Sequence, residues 1–380
     1  MRCFKPLLVL TLAVPLQAVA QIRTGIAALP TLPGSAIAAA SAVTNRTPTL
    51  SLTPPLAASA GPLSAKLPDA APRAADGVFD LPERLSALFR NLDAKHVLPA
   101  GSLTARVRAG VRSQLLAAAR DYEAPEAELL ETVAREAEKA LVKIQERLEL
   151  GEIDPTLKLR VSESDPELDV RERRNRVAVY PIAADPFHWG HLIIALRAIG
   201  ELGVDKVVFV LAGDDPRKTA MTPAATRHPM GQEVLKIFSP FFLYSPIAVG
   251  RTLDGETNIF RLLALNPQQK VEAWYMVGDD HYRLIDKNGS PDTLPKLERN
   301  YRRPLGHSPT LHALKVAFIS REAPAETVPT GLEVRFLDHL GFEASSSQVR
   351  SGRHTLMPHA AFDYARRKGL YGVPPAPVKE

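Results

Sequence analysis

Two short motifs far apart in the sequence carry side chains suited to holding a polyanion. The first is Asp-Pro-Phe-His-Trp-Gly-His at 185–191, which follows an apolar run and opens a helical pattern. The second is Ser-Ser-Ser-Gln-Val-Arg at 345–350, just before the C-terminal helical pattern. Imidazoles, hydroxyls, a guanidinium and the backbone N–H groups of helix starts all donate hydrogen bonds to phosphate oxygens. Together the two motifs predict a clamp for a triphosphate.

His188 and His191 also admit simpler interpretations. Zinc would need a third and usually a fourth ligand, and no partner at suitable spacing stands out nearby. The histidines would otherwise be ordinary capping or surface residues, just as Ser345 would be an ordinary N-cap. The joint order of the two motifs favours the phosphate clamp. Gly190 supports it, because a glycine lets the backbone approach a ligand closely.

Short apolar runs alternate with helical patterns from Arg176 onward. The runs lie at 176–180, 207–211, 241–249, 273–277, 315–320 and 333–337. This alternation predicts an α/β fold with a mainly parallel sheet. Ligands in such folds bind beyond the carboxyl ends of the strands. Five candidate residues follow predicted strands, which indicates one shared site: His188, Lys218, Asp280, Arg321 and Ser345.

The N-terminal residues predict export. Residues 1–20 have a short basic start, an apolar stretch and an Ala-Val-Ala site, which together are typical of a secretory signal peptide. An ordinary apolar N-terminus or a membrane anchor is the alternative, although Pro15 interrupts the stretch. The only cysteine, Cys3, falls inside this segment, so a processed chain would have no disulfide and no thiol nucleophile.

Composition then divides the rest of the chain. Residues 21–77 are rich in Ala, Pro, Ser and Thr and predict a disordered linker. Residues 78–170 show apolar side chains at helical spacing, as in Leu130, Val133, Ala137 and Leu141, and predict a small helical region. We expect it to pack on the next domain, with a partner-binding coiled coil as the alternative. Residues 171–373 form the α/β domain, and 374–380 are a tail.

The charge pattern limits the classes of partner. A formal net charge of +5 over 380 residues suits a small anionic ligand. There is no basic stripe with interleaved aromatic residues, so nucleic acid is not an expected partner. No segment after the predicted signal peptide is apolar enough to span a bilayer.

The two motifs resemble the (H/T)xGH and ISSTxIR signatures of the nucleotidyltransferase superfamily, and within it the bacterial nicotinate/nicotinamide mononucleotide adenylyltransferases. Lys218, the Gly-Asp-Asp at 278–280 and Arg321 are similar to further family features, and Arg227 to a substrate-facing arginine. The resemblance covers Arg176 to about Gly372. It implies a Rossmann-like nucleotidyltransferase fold.

The resemblance also implies an activity: transfer of an adenylyl group from ATP to a mononucleotide phosphate, with release of pyrophosphate and no covalent nucleophile. By resemblance the catalytic residues are His188, His191 and Arg350. Those at the ATP phosphates are Gly190, Lys218, Ser345 and Ser346. Those at the nucleoside or acceptor are Asp185, Trp189, Gly278, Asp280 and Arg321. Mg²⁺ would be carried mainly by the phosphates, with no protein metal site.

Some positions depart from the family pattern. Residues 181–184 are Pro-Ile-Ala-Ala, where the family has glycine and a small hydroxyl residue. The basic segment 286–312 would be a flap over the substrate or a solvated loop. The acceptor therefore stays open, with another phosphorylated compound such as a pantetheine, sugar or alcohol as an alternative. A non-catalytic nucleotide-binding or structural envelope protein is the rival hypothesis. ATP is scarce outside the cytoplasm, which conflicts with the predicted export. If the signal-peptide prediction is wrong, the protein is cytoplasmic.

Overall fold

The computed structural model describes residues 80–375, apart from 171, 217, 252–254, 304 and 320–327. The predicted signal peptide at 1–20 and linker at 21–77 lie outside the described residues, and so does Arg321. All statements below concern the described part of the chain.

Three helices come first: α1 (Leu81–Lys95), α2 (Leu103–Asp121) and α3 (Ala127–Glu149). Ser102 is the N-cap of α2, and its Oγ accepts a hydrogen bond from the Ala105 N–H at 3.1 Å. The apolar stripe of α3 is buried throughout, from Leu130 to Ile144. These helices bury that stripe in the same hydrophobic core as the sheet that follows.

Six strands of the described chain form one sheet, in which every neighbouring pair is parallel. They are β1 (Asn175–Ile182), β2 (Lys206–Leu211), β3 (Phe242–Ser245), β4 (Val271–Gly278), β5 (His312–Ile319) and β6 (Glu333–Leu337). Their order across the sheet is β3-β2-β1-β4-β5-β6. The predicted α/β fold with a parallel sheet is therefore confirmed. The run at 241–249 is a strand only as far as Ser245, because Pro246 follows.

Helices cover both faces of the sheet. The later ones are α4 (Trp189–Leu202), α5 (Ala224–Lys236), α6 (Gly255–Ala264), α7 (Thr293–Tyr301), α8 (Ser346–Arg350) and α9 (His359–Lys368), with a 3₁₀ turn at His354–Leu356. Helices α1–α5, α8 and α9 share one core, and α6 and α7 form the other. Part of the segment 286–312 is thus helical and packed, since Leu294 and Leu297 are buried. No described helix has the length and apolar character to cross a membrane.

In the sheet, β1 to β3 follow one another towards one edge and β4 to β6 towards the other, so the switch point lies between β1 and β4. Their pairing ends at Val179 and Tyr275, whereas β1 stays paired with β2 as far as Ile182. Pro181 lies just past the split and has no N–H to donate. A parallel sheet opens a crevice at such a switch point, beyond the carboxyl ends of the strands. The candidate motifs lie at this crevice.

Candidate active site

The turn from β1 into α4 is built without glycine. Ala184 has a φ of +49°, in the left-handed region that glycine prefers, and its side chain is buried. Arg227 of α5 stabilises this turn by hydrogen bonds. Its guanidinium donates to the carbonyl oxygens of Ala183, Thr222, Ala212 and Gly213. The turn therefore keeps its shape through a buried arginine, although the sequence resemblance implied that Arg227 faces the substrate.

His188 and His191 stack at the start of α4. Their ring centroids are 3.6 Å apart with 25° between the planes. The backbone N–H of His188 points at Nδ1 of His191, at 3.4 Å between the heavy atoms. Gly190 makes the stack possible, since a Cβ there would lie 2.9 Å from His188 Nδ1 and 3.1 Å from Ala344 Cβ. The two imidazoles are thus held as one unit.

Both imidazoles are neutral at neutral pH. Burial, and to a smaller extent the neighbouring His191, holds the pKa of the His188 imidazole well below its usual value. Burial lowers the pKa of His191 to about 3. Because Nδ1 of His191 accepts a hydrogen bond, its single proton lies on Nε2, which can donate to an anion. His188 Nδ1 is buried without a hydrogen-bond partner among the described residues.

The serine motif reaches the histidine motif directly. Ser345 caps α8, its Oγ accepting from the Gln348 N–H at 3.2 Å. The Ser346 hydroxyl donates to the Pro186 carbonyl at 2.9 Å. Arg350 donates to the Asp185 carbonyl, and its Nη1 lies 3.6 Å from the Asp185 carboxylate. The fold therefore brings the two distant motifs together at the end of β1.

A cavity of about 500 Å³ opens between them, which we call the histidine cavity. The predicted site residues that line it are His188, Gly190, His191, Gly278, Asp280, Ser345 and Ser346. Gly278 is required sterically, because a Cβ there would lie 2.3 Å from Asp280 Oδ1. Burial and the Asp280 charge raise the pKa of Tyr180, which also lines the cavity, so its hydroxyl stays protonated.

His339 lines the same cavity and was missed in the sequence. It follows the end of β6, which is the strand-end position that marked the other candidates. Its backbone carbonyl accepts a hydrogen bond from Arg197 of α4 at 3.1 Å. This strand-end position is a signal for the site, but a single histidine outside any motif does not by itself predict a functional residue.

A second cavity of about 280 Å³ lies on the other side of the β1 end, and we call it the Asn258 cavity. It is lined by the ends of β1, β2 and β4 and by α6, through Pro181, Ile182, Gly213, Tyr275 and Asn258 among others. Asn258 is 3% exposed, and its Oδ1 has no hydrogen-bond partner within the described residues. Lys218 lines this cavity and not the histidine cavity.

Three further predicted site residues, Trp189, Asp185 and Arg350, line neither cavity. Trp189 is 0% exposed and packs in the core, so its ring offers no surface to a ligand. Asp185 is 4% exposed, and its carboxylate makes hydrogen bonds within the protein. Its carboxylate accepts from the Tyr371 hydroxyl at 2.8 Å and from the Thr222 N–H at 3.3 Å. Asp185 therefore ties the β1–α4 turn to the C-terminal segment.

No group of three or more His, Cys, Asp or Glu side chains in the described ranges is arranged to hold a metal ion. Two carboxylates, Asp279 and Asp280, line the histidine cavity beside neutral imidazoles and hydroxyls. Mg²⁺ is usually held through one or two carboxylates together with substrate phosphates.

Comparison with known proteins agrees with this geometry. The cytidylyltransferase-like family model matches residues 183–331. A probable nicotinate-nucleotide adenylyltransferase of Solibacter usitatus is 27% identical over 203 residues, which cover 52% of this chain and 99% of that protein. One from Thermus thermophilus is 26% identical, with the same coverage. About half of the present chain thus has no counterpart in these relatives.

The matches support a nucleotidyltransferase domain. They support an enzyme of the nucleotidyltransferase superfamily and confirm the resemblance of the two motifs to the superfamily signatures. A solved structure of the Plasmodium falciparum nicotinic acid mononucleotide adenylyltransferase complexed with NaAD is 13% identical, with a TM-score of 0.39, and covers 53% of this chain and 99% of that one. The fold assignment rests on the strand order and the parallel pairing described above.

Proposed function

We propose that this enzyme transfers an adenylyl group from ATP to a nicotinate or nicotinamide mononucleotide-like acceptor and releases pyrophosphate. The observation that carries the proposal is the convergence of His188, His191, Ser345 and Ser346 on one cavity at the switch point of the sheet. The named relatives are probable nicotinate-nucleotide adenylyltransferases, which supports the same reaction.

The two cavities suit two reactants. They flank the carboxyl end of β1, the histidine cavity on one side and the Asn258 cavity on the other. ATP in the first and the acceptor in the second would meet at this strand end. An oxygen of the acceptor phosphate attacks the α-phosphorus, and the bond from the α-phosphorus to the bridging oxygen of pyrophosphate breaks. The enzyme's part is to align the two and to neutralise developing charge.

The neutral histidines suit this task. Nε2–H of His191 donates to a phosphate oxygen, and its stacked partner fixes the direction of the ring. A preorganised donor in a buried site stabilises negative charge that develops in the transition state. Arg350, which contacts Asp185 at the β1–α4 turn, would add a cation. Mg²⁺ would travel with the ATP phosphates, where it needs few protein ligands.

The Asn258 cavity indicates which mononucleotide the enzyme would use as acceptor. Its wall presents Asn258 Oδ1, a buried acceptor without a partner in the described part of the chain. Leaving such an atom unpaired is costly, and the N–H of a carboxamide would satisfy it. We therefore expect nicotinamide mononucleotide to be used at least as well as nicotinate mononucleotide.

The test is pyrophosphate release with ATP and Mg²⁺, across a panel of acceptors headed by the two mononucleotides. Release with either one supports the proposal, and their ratio reports on the acceptor. An Asn258→Leu variant should raise the acceptor KM about tenfold, as expected for one lost hydrogen bond in a buried site, and leave the ATP KM unchanged. ATP binding without release for any acceptor would overturn the catalytic proposal and favour a nucleotide-binding protein.

Export remains part of the proposal. The predicted signal peptide at 1–20 would place the processed chain outside the cytoplasm. N-terminal sequencing of the protein made in its own cells tests this, since a processed chain begins at Gln21. An intact Met1 would contradict the signal-peptide prediction.

A further inference from the structure

Glu126, between α2 and α3, forms hydrogen bonds with Arg353 and Thr355 of the segment that follows α8. Nε and Nη2 of Arg353 donate to the two carboxylate oxygens of Glu126, both at 2.7 Å. The backbone N–H of Glu126 donates to the Thr355 hydroxyl at 3.2 Å. A bidentate arginine–carboxylate pair fixes both the distance and the orientation of its partners. This contact lies three residues beyond Arg350 in the sequence.

A second contact lies one turn further along. The Tyr122 hydroxyl donates to the Met357 carbonyl at 3.0 Å, and its ring packs on Phe362 with centroids 4.0 Å apart. Burial raises the pKa of Tyr122 well above its usual value, so the hydroxyl remains a donor. The segment from Arg353 to Phe362 is thus held at both ends by the helical region.

The same α3 also packs along α4, whose first turn carries His191. Arg147 Nε donates to the Gly200 carbonyl at 2.5 Å, and the Lys143 side chain lies against Gly200. Helix α3 therefore packs on α4, while its N-cap residue Glu126 contacts the segment just after α8. The helices α1–α3 precede residues 183–331, the part that matches the family.

Helix α8 has only five residues. A helix of that length does not hold its conformation without tertiary contacts. Ser346 and Arg350 supply contacts on one side, to the β1–α4 turn. The Arg353–Glu126 pair supplies the contact on the other side.

We propose that the helical region is a brace for the phosphate site, with Glu126 and Arg353 as the positioning pair that sets α8 against α4. The inference rests on the proposed function for its effect on ATP. Neither residue lines the histidine cavity, so both act through the placement of Ser345, Ser346 and Arg350.

The test is Glu126→Gln in the full chain, with Arg353→Gln and the double variant. We expect the Kd for ATP, measured without acceptor, to rise about threefold, because the pair is more than a third exposed and its loss displaces the clamp only slightly. The acceptor KM should not change. Since each single variant breaks the same pair, the double variant should be no worse than either. Hydrogen exchange of the amides at 346–357 should rise in all three.

Glu131→Gln is the matched control. Glu131 is also on α3 and pairs with Arg84 at 2.5 Å and Arg135 at 2.8 Å, both within the helical region. It should alter neither ATP binding nor exchange at 346–357. Unchanged exchange in Glu126→Gln, or an equal effect in Glu131→Gln, would overturn the brace. If the wild-type protein binds no ATP, the proposed function fails, and the exchange measurement still decides the brace.

Discussion

Gly190 is the residue on which the geometry of the histidine pair depends. Its missing side chain leaves room for the His188 ring on one side and for Ala344 on the other. His188 and Ala344 belong to the two segments that the fold brings together. A single glycine thus sets how closely they approach.

Replacing Gly190 by alanine should therefore remove activity while leaving the fold. The new Cβ would lie 2.9 Å from His188 Nδ1 and 3.1 Å from Ala344 Cβ, so the imidazole and the α8 segment must separate. A displacement of that size costs roughly 10²-fold in rate. Gly200→Ala in the same helix is the control, because the three atoms nearest to its Cβ belong to the Lys143 side chain, at 3.2 Å, which lines neither cavity. Steady-state pyrophosphate release and thermal melting compare them, and a fully active Gly190→Ala would contradict the assignment.

The lowered pKa of His191 predicts a pH dependence of stability. The folded protein keeps this imidazole neutral down to a pKa of about 3, whereas the unfolded chain takes up a proton near 6.5. Stability is thus fully present above pH 6.5 and is lost as the pH falls towards 3. At pH 5 the loss reaches about 2 kcal/mol from this residue.

His191→Asn should remove that contribution. Urea unfolding at pH 7.5 and pH 5.0 measures it as the change in the free-energy difference between wild type and variant. The asparagine Oδ1 can still accept the His188 N–H, so the helix start is preserved. An identical pH dependence in both proteins would show that His191 titrates normally.

At the scale of elements, α5 holds the strand ends in place through Arg227. This fully buried guanidinium donates to four carbonyl oxygens on the loops that leave β1 and β2. Burial lowers its pKa from the usual value. The loops it holds line the Asn258 cavity. Strand ends and cavity shape therefore depend on one side chain.

Arg227→Met should cost roughly 3 kcal/mol in the free energy of unfolding, because four buried or part-buried carbonyls lose the guanidinium as a donor. Arg135→Met on α3 is the control, since its half-exposed ion pair with Glu131 is worth under about 1 kcal/mol. Urea titrations of both variants give the comparison. A stable Arg227→Met with a raised acceptor KM would instead mean that Arg227 faces a ligand.

At the scale of the whole molecule, the helical region and the sheet share one hydrophobic core. Buried residues of α1–α3 belong to the same cluster as those of α4, α5 and α9. Within the described residues, this core extends from Leu85 of α1 to Val373. The helices are therefore part of the folded enzyme.

Two truncations test this. A chain that begins at Ala74 should unfold in one cooperative transition with the same midpoint as the full chain, since it keeps the whole shared core. A chain that begins at Gly151 would expose the α4 surface that α3 covers, and we expect it to aggregate or to unfold at much lower urea. Soluble, active protein from the shorter chain would make the helices dispensable and would also contradict the brace.

Much of this architecture is determined locally in the sequence. The period of the apolar residues predicts the parallel α/β sheet and the helices before it, because burial on one face or on both imposes that spacing. The strand-end rule groups His188, Asp280 and Ser345, which do line one cavity. Composition and motif order suffice for these conclusions, since each depends on neighbours in the chain.

Only the tertiary structure decided which side chains face inward. Trp189 and Arg227 carry no local mark of burial, yet one fills the core and the other braces the strand ends. Lys218 follows a strand like the others but lies at the Asn258 cavity. The Glu126–Arg353 pair joins residues that no periodicity connects. Such contacts arise from the packing of distant segments, and the spacing of residues along the chain does not encode which segments meet.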